Sequence, residues 1–408
     1  MIAMLVGLAC FAGLPSVAGA AAPPPAPIYS FGNGLLGDGT TNQRATPAVV
    51  NALINKRIIQ VSSFSANGVR PDHTLALTQG GTIYSWGRNG HGQLGYGGGD
   101  NFFPKQVPTS ASGLNSRVIA VAAGYQFSMA LTAKGQVLTW GLASRLGDGS
   151  TADRTKPTVI NGLDGQYGEA ISAGLSHAQV ITSAGQMWGW GSGAHGALGT
   201  GAAADSAVPI HAELPVGFRP TQVATGGTIV KDGVGPVDFT IALGSDGRVV
   251  GWGGNQFGQL GTGSPGPDEL RPVEVSRPFD STILGIAAGG QNAGAFTTDG
   301  RVLTWGQNTF GNLGDGKQSK NATPTYVDLP DDATPVIRLS MSAYNTLIST
   351  TTSQVYGWGL NSSWAGGALG PDAPALTTTP VAIDLPSQGK YVEIDAGGPT
   401  SYVVLQVP

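Results

Sequence analysis

Between Arg117 and Ile160 the apolar residues gather in four short runs separated by glycine and polar turns. Arg117 to Gly124 is a continuous apolar run ending on small residues, and Phe127 to Thr132 follows it. Ala133-Lys134-Gly135 makes a tight turn. Gln136 to Gly141 then alternates, which puts Val137 and Thr139 on one face of a strand and Leu138 and Trp140 on the other. A polar, glycine-rich loop reaches Leu146-Gly147, and Pro157 to Ile160 is a fourth run. Four short strands joined by turn signals predict an antiparallel meander. Asp246-Gly247 and Asp299-Gly300 occupy the same tight turn in other units, supplying the positive φ of a two-residue hairpin.

The unit recurs. Its marker is an aromatic-Gly pair, at Phe31-Gly32, Trp86-Gly87, Trp140-Gly141, Trp190-Gly191, Trp252-Gly253, Trp305-Gly306 and Trp358-Gly359. The step is about 54 residues, and seven such steps fill residues 28–408. Each unit has two apolar faces and cannot bury them alone, so neighbours must stack, and a ring achieves this with only short edges exposed. A buried Trp covers roughly 150–250 Å², worth about 4–6 kcal/mol as an upper estimate. The glycines after each Trp and after each Leu are expected at turns or close backbone approaches. Pro47, Pro104, Pro157, Pro209, Pro272, Pro324 and Pro380 recur near the start of the outer strand, which suits an edge.

Closure is also legible. Ile28 to Gly32 matches the third strand of a unit with no first or second strand before it. Tyr391 to Gly397 and Ser401 to Leu405 match the first and second strands with no third after them. The fold class expected is therefore all-β: a seven-bladed β-propeller of four-stranded antiparallel sheets over residues 28–408, closed by N- and C-terminal strands sharing one blade.

Residues 1–27 differ from the rest. An apolar run from Met4 to Leu14 and the small residues Ala18-Gly19-Ala20 read as a signal peptide over residues 1–20, followed by a Pro/Ala-rich spacer over 21–27. No Lys or Arg precedes Arg44, so the basic front region of such a signal is missing from these residues. Cys10, the only cysteine, would leave with the signal, and the mature chain would have no disulfide or thiolate site. No later segment is apolar enough to span a bilayer, and the expected location is secreted, periplasmic or cell-surface.

Composition narrows the class. With 65 Gly, the chain carries more than twice the usual share, yet 40% apolar content and eight Trp supply ample surface to bury, which excludes disorder. A formal charge of −4 leaves no basic footprint for nucleic acid.

Ala-Ala-Gly, then His-x-x-Ala-Leu, then Gly-x-Val-x-x-Trp-Gly-x-Asn-x-x-Gly-Gln-Leu-Gly resembles the regulator of chromosome condensation repeat. Trp86 to Gly95 and Trp252 to Gly261 match it almost fully, and Trp305 to Gly314 departs at one place. The resemblance covers everything from about residue 28 onward and implies a seven-bladed propeller with a shared closing blade. The family's founding member is a nucleotide exchange factor that binds chromatin, and its relatives include secreted bacterial members. The chain resembles the secreted bacterial type. No motif marks exchange residues in it, so none are carried over.

Chemistry is harder to find. His91 and His195 stand five residues after their Trp, where sister units have Phe257 and Phe310, so packing is expected. His73 and His177 begin the second strand, where Phe127, Phe239 and Tyr344 stand elsewhere; packing or a backbone hydrogen bond is expected there. His211 stands alone. Asp38, Asp148 and Asp315 sit in Leu-Gly-Asp-Gly, one carboxylate per loop, which is turn chemistry and not a calcium site. No metal, cofactor or catalytic residue is assigned.

Loop length is asymmetric. Loops after the first and third strands of a meander emerge on one face, and the long ones lie there: Phe64 to Asp72, Gly226 to Asp238, and Asn361 to Thr379 with an extra Trp364. Arg70, Asp72, Tyr125, Lys231, Asp232 and Trp364 are the expected contacts. The function expected is an exported, non-catalytic, monomeric propeller that binds a protein or cell-envelope polymer through that face, with no nucleic acid and no membrane span. A polysaccharide hydrolase or lyase with its site at the channel mouth is the alternative. It requires converging carboxylates.

Overall fold

The computed structural model describes residues 27–65, 72–109, 116–163, 165–230, 235–277, 280–362, 365–386 and 390–406. Its strands form seven four-stranded antiparallel sheets, the blades of a closed propeller. Blade 3 is representative: Val118–Gly124, Phe127–Thr132, Val137–Gly141 and Arg154–Val159 run from the axis outward, as the alternation predicts. Blade 1 is shared. Ile28–Gly32 pairs with Thr400–Gln406, so the two ends of the ring are joined by a strand ladder.

The seven aliphatic-aromatic clusters map onto the seven contacts between neighbouring blades. Leu138 and Trp140 pack with Leu75 and Leu77 of blade 2, while Val137 packs with Val180 and Trp190 of blade 4. One strand thus feeds two interfaces because its side chains alternate. The last cluster joins Leu347 of blade 7 to Phe31 and Val403 of blade 1. No blade buries its own two faces, so the ring is the folding unit.

Each Trp of the six Trp-Gly pairs also donates its indole N–H backward, to the carbonyl just before the Leu-Gly of the preceding blade. Trp140 reaches Gln93 O at 2.8 Å, Trp252 reaches Ala197 O at 2.9 Å, and Trp305 reaches Gln259 O at 2.9 Å. The glycine after that Leu is where the ring lands. At Gly147 (φ +72) a Cβ would stand 2.7 Å from the Trp190 ring, whereas Gly370, facing the smaller Phe31, has nothing within 4 Å. At the Phe31 seam the carbonyl of Ala368 is met instead by Ser401 Oγ at 2.7 Å.

The recurring prolines lie inside the outer strands, not at their starts. Pro47 falls in the register shift between Ser30↔Ala48 and Gly32↔Arg44, and Pro157 and Pro272 occupy the same shift in blades 3 and 5. A bulge on an edge strand is where a missing N–H costs no ladder bond.

Candidate functional site

The first strands of all seven blades line an axial cavity of about 250 Å³. It opens between Phe64, at the end of its first strand, Gly227, in the long first strand of blade 5, and Gly290, Ala343 and Gly398, just after theirs. The mouth therefore lies on the long-loop face. One tier of the wall is nearly neutral, with Ser62, Ala122, Ser172, Ala224, Ala287 and Ser340 from six blades. Blade 1 contributes Asp395 instead, and Glu393 beside it on the same strand.

Both carboxyls are pushed up to about 7, chiefly because burial disfavours their charged form. Arg338 of blade 7 opposes the shift of Glu393, but loosely, at 3.9 Å, and Ser63 of blade 2 donates to Asp395. Glu393 keeps about a quarter of its side chain (24%) open to the cavity.

The expected contacts divide. Arg70, Lys231, Asp232 and Trp364 lie outside the described residues. Tyr125 is half-buried at the loop face, where the Arg145 guanidinium stands 5.3 Å from its ring centre. Burial lowers the pKa of Arg145, while the charges of Asp238, Tyr125 and Asp72 act against that loss. Asp72 is not a surface contact. It is 5% exposed and accepts from His73 Nδ1, Gln93 Nε2 (2.9 Å) and Gln126 N (3.1 Å), because its backbone position closes a seam between blades.

Gly226 to Asp238 is not a loop either. Pro220–Val230 and Gly235–Gly244 continue as a two-stranded arm beyond the other blades, paired Gly227↔Asp238 through Val230↔Gly235. Gly227 N points away from its partner strand and donates to Gly289 O at 3.1 Å. By the two-residue period of a strand, Ile229 presents its N–H and C=O on that same edge. The opposite edge carries Pro236, which has no N–H to offer. The arm thus has one edge that offers both a donor and an acceptor, with Ile229 40% exposed beside it. Of the segment Asn361 to Thr379, Leu376 onward is outer strand, and the connection itself is shorter.

Four histidines hold seams by their ring nitrogens, which packing alone does not describe. His91 Nδ1 meets Asp153 of the next blade at 2.8 Å, and His195 Nδ1 meets Asp268 at 2.5 Å. His211 packs against Trp188 of its own blade, with ring centres 3.6 Å apart and planes tilted by 40°. His73 donates through Nδ1 to Asp72 (3.1 Å), and its Nε2 lies 2.6 Å from Ser128 Oγ. His177 repeats the motif with Asp238 (3.0 Å) and Thr240 (2.8 Å). Hydroxyl, imidazole and carboxylate stand in the order of a hydrolase triad. Ser128 and His73 are nevertheless fully buried, and the Ser128 hydroxyl also faces Gln93 O at 2.9 Å. No substrate reaches it; the arrangement satisfies polar groups between blades. Asp38, Asp148 and Asp315 accept from the backbone N–H of Thr40, Ser150 and Lys317, as turn residues do.

Arg145, Asp238, Glu393 and Asp395 escaped the sequence reading. Arg145 had a signal: it replaces the Gln of Gly-Gln-Leu-Gly.

These features define a closed propeller with a loop-face mouth, and the RCC1-like domain family matches residues 27–403. The chain belongs to that family. It is 31% identical over 330 residues to the ultraviolet-B receptor UVR8 of Arabidopsis thaliana, covering 80% of this chain and 70% of that protein. It is 32% identical over 308 residues to the human (Homo sapiens) E3 ubiquitin-protein ligase HERC2, covering 74% of this chain but 6% of that protein. Among solved structures, yeast RCC1 (Prp20) bound to Kap60 superimposes with a TM-score of 0.79 at 20% identity, covering 97% of this chain and 96% of that one. That likeness is one of fold. Among the described residues, no helix is long and apolar enough to cross a membrane.

Proposed function

We propose that this chain is an exported, non-catalytic, monomeric binding propeller of the secreted bacterial type that docks a protein or cell-envelope polymer on its loop face. The observation that carries the reading is the arm of blade 5, which stands beside the channel mouth with a strand edge offering both donor and acceptor at Ile229. Such an edge pairs with an extended segment of a partner, main chain to main chain. The relatives support a binding role: Prp20 is described bound to Kap60, and for its binding to Gsp1p and histones. The apolar run of residues 1–20 and the spacer of 21–27 support export.

Replacing Gly227 to Val237 by one residue, which with Asp238 makes a two-residue turn like Tyr125-Gln126 of blade 3, is the test. Capture of ligand from a native envelope fraction should be lost while the thermal transition of the ring is retained. Undiminished capture would show that the arm is not the docking element.

The hydrolase or lyase reading has one observation in its favour, the carboxyl pair of Glu393 and Asp395 in the channel. Both project from one strand, whereas glycoside hydrolysis requires carboxyls flanking the scissile bond. Turnover on a glycan panel that disappears in E393Q or D395N would establish it over the binding reading.

A further inference from the structure

Blades 2 and 5 carry a carboxylate at the same backbone position, and the two point in opposite directions. Asp72 directly precedes the strand residue paired with Gly87, and its carbonyl accepts from Arg88 N; Asp238 directly precedes the residue paired with Gly253, and its carbonyl accepts from Gly254 N. Asp72 turns forward, to Gln93 of its own blade and Gln126 N of blade 3. Asp238 turns backward, to His177 Nδ1 (3.0 Å) and Ser176 N (3.1 Å) of blade 4.

The forward donor is nonetheless built in blade 5. Gln93 is oriented by His91 N, which donates to its Oε1 at 3.0 Å and so aims Nε2 at Asp72. Gln259 is oriented identically by Phe257 N, also at 3.0 Å. Its Nε2 is buried and has no acceptor among the described residues, and the same holds for Gln291 Nε2 of blade 6, while Asp238 Oδ2 is buried with no donor among them. A buried amide held in place with no acceptor is destabilising, so nothing in local stability explains why Gln259 is aimed there.

We infer that Asp238 is a two-position carboxylate, held backward by His177 in the structure and received by Gln259 when that hold is released. Asp238 is the root of the arm, paired with Gly227 where the extension begins. Its position therefore sets which neighbour the arm is tied to, blade 4 or the blade 5–6 seam. The charge of Arg145 favours the backward position without a hydrogen bond to Asp238, since Arg145 donates to Tyr125 O. His177 is then the deciding contact. The device is a property of the fold and stands whether or not the loop face binds the proposed partner.

Sister blades supply variants the position tolerates. Phe127 occupies it in blade 3, Asn292 in blade 6 and Thr400 in blade 1, each paired with its glycine as His177 is with Gly191. In a crystal structure of H177F, the Asp238 carboxylate should stand within about 3 Å of Gln259 Nε2. In H177N, whose amide can still donate backward, it should stay with blade 4. A carboxylate that remains beside Ser176 in H177F overturns the inference. A double-mutant cycle reads the same point in solution: Q259L should lower the denaturation midpoint further in H177F than in the parent protein. Additive shifts overturn it. If H177F does not fold, H177T removes the same donor without the aromatic ring and is read the same way.

Discussion

Trp305→Ala is expected to lower the stability of the ring by about 3–5 kcal/mol, and by more than Trp358→Ala does. Both indoles are almost fully buried, and both donate to the carbonyl before Leu-Gly in the preceding blade. The carbonyls differ in what else they have. Asn312 O also accepts from Thr346 Oγ1 at 2.7 Å, so it keeps a partner when Trp358 is removed. In the blade of Trp305 the residue facing the indole is Ala293, which has no hydroxyl, and Gln259 O depends on the indole alone among the described donors. A buried carbonyl left without a donor adds about 1–3 kcal/mol. Phe substitutions isolate that part: W305F should shift the urea midpoint clearly and W358F only slightly. Equal shifts would mean that the ring's bulk, not its N–H, is what each seam requires.

The repeat explains which parts of this architecture the sequence disclosed. A strand that feeds two interfaces must alternate, so Val137 and Leu138 are each apolar yet belong to different clusters, and period two read this correctly. Blade count and closure followed from the spacing of Trp-Gly and from the unpaired ends at Ile28 and Leu405. The seams were not legible in the same way. Asp72 and Asp238 look like loop residues because they end the long inserted segments, yet both are buried, Asp72 just before its second strand and Asp238 within the lengthened one. Their burial depends on partners more than 50 residues away, such as Gln126 and His177. The arm was hidden because Thr225-Gly-Gly-Thr-Ile-Val230 has the glycine content of a loop, and only the ladder to Gly235–Gly244 makes it a strand. Glu393 and Asp395 alternate with Val392 and Ile394 as any half-exposed strand would. What sets them apart is that six other blades place Ser or Ala where Asp395 stands, a comparison that needs the register.

That register gives the second large effect, a stability that falls as the pH rises from about 4 to about 7. Glu393 is the first residue after the register shift in its strand, where Gln60 and Gln222 stand in blades 2 and 5. Each of those amides clips the first strand of the next blade. Gln60 Nε2 donates to Val121 O at 2.9 Å and its Oε1 accepts from Val121 N at 3.0 Å; Gln222 Nε2 donates to Leu284 O at 2.8 Å. A protonated Glu393 has the same donor and acceptor as Gln, and an ionised one has lost the donor. Both channel carboxyls are raised to about 7 from ordinary values of 4.5 and 3.8, so the folded chain binds their protons more tightly than the unfolded chain. Their contribution is therefore fully present below about pH 4, is lost progressively up to about pH 7, and is absent above it. Urea midpoints measured from pH 4 to pH 9 should fall across that window and then level off. E393Q places a permanent amide at the clip position, and D395N removes the second buried charge. The double variant should be more stable than the parent at pH 8 and should lose most of the slope between pH 4 and pH 7. A parent protein that gains stability over that interval, or a variant with an unchanged slope, would show that the channel carboxyls stay ionised in the folded ring.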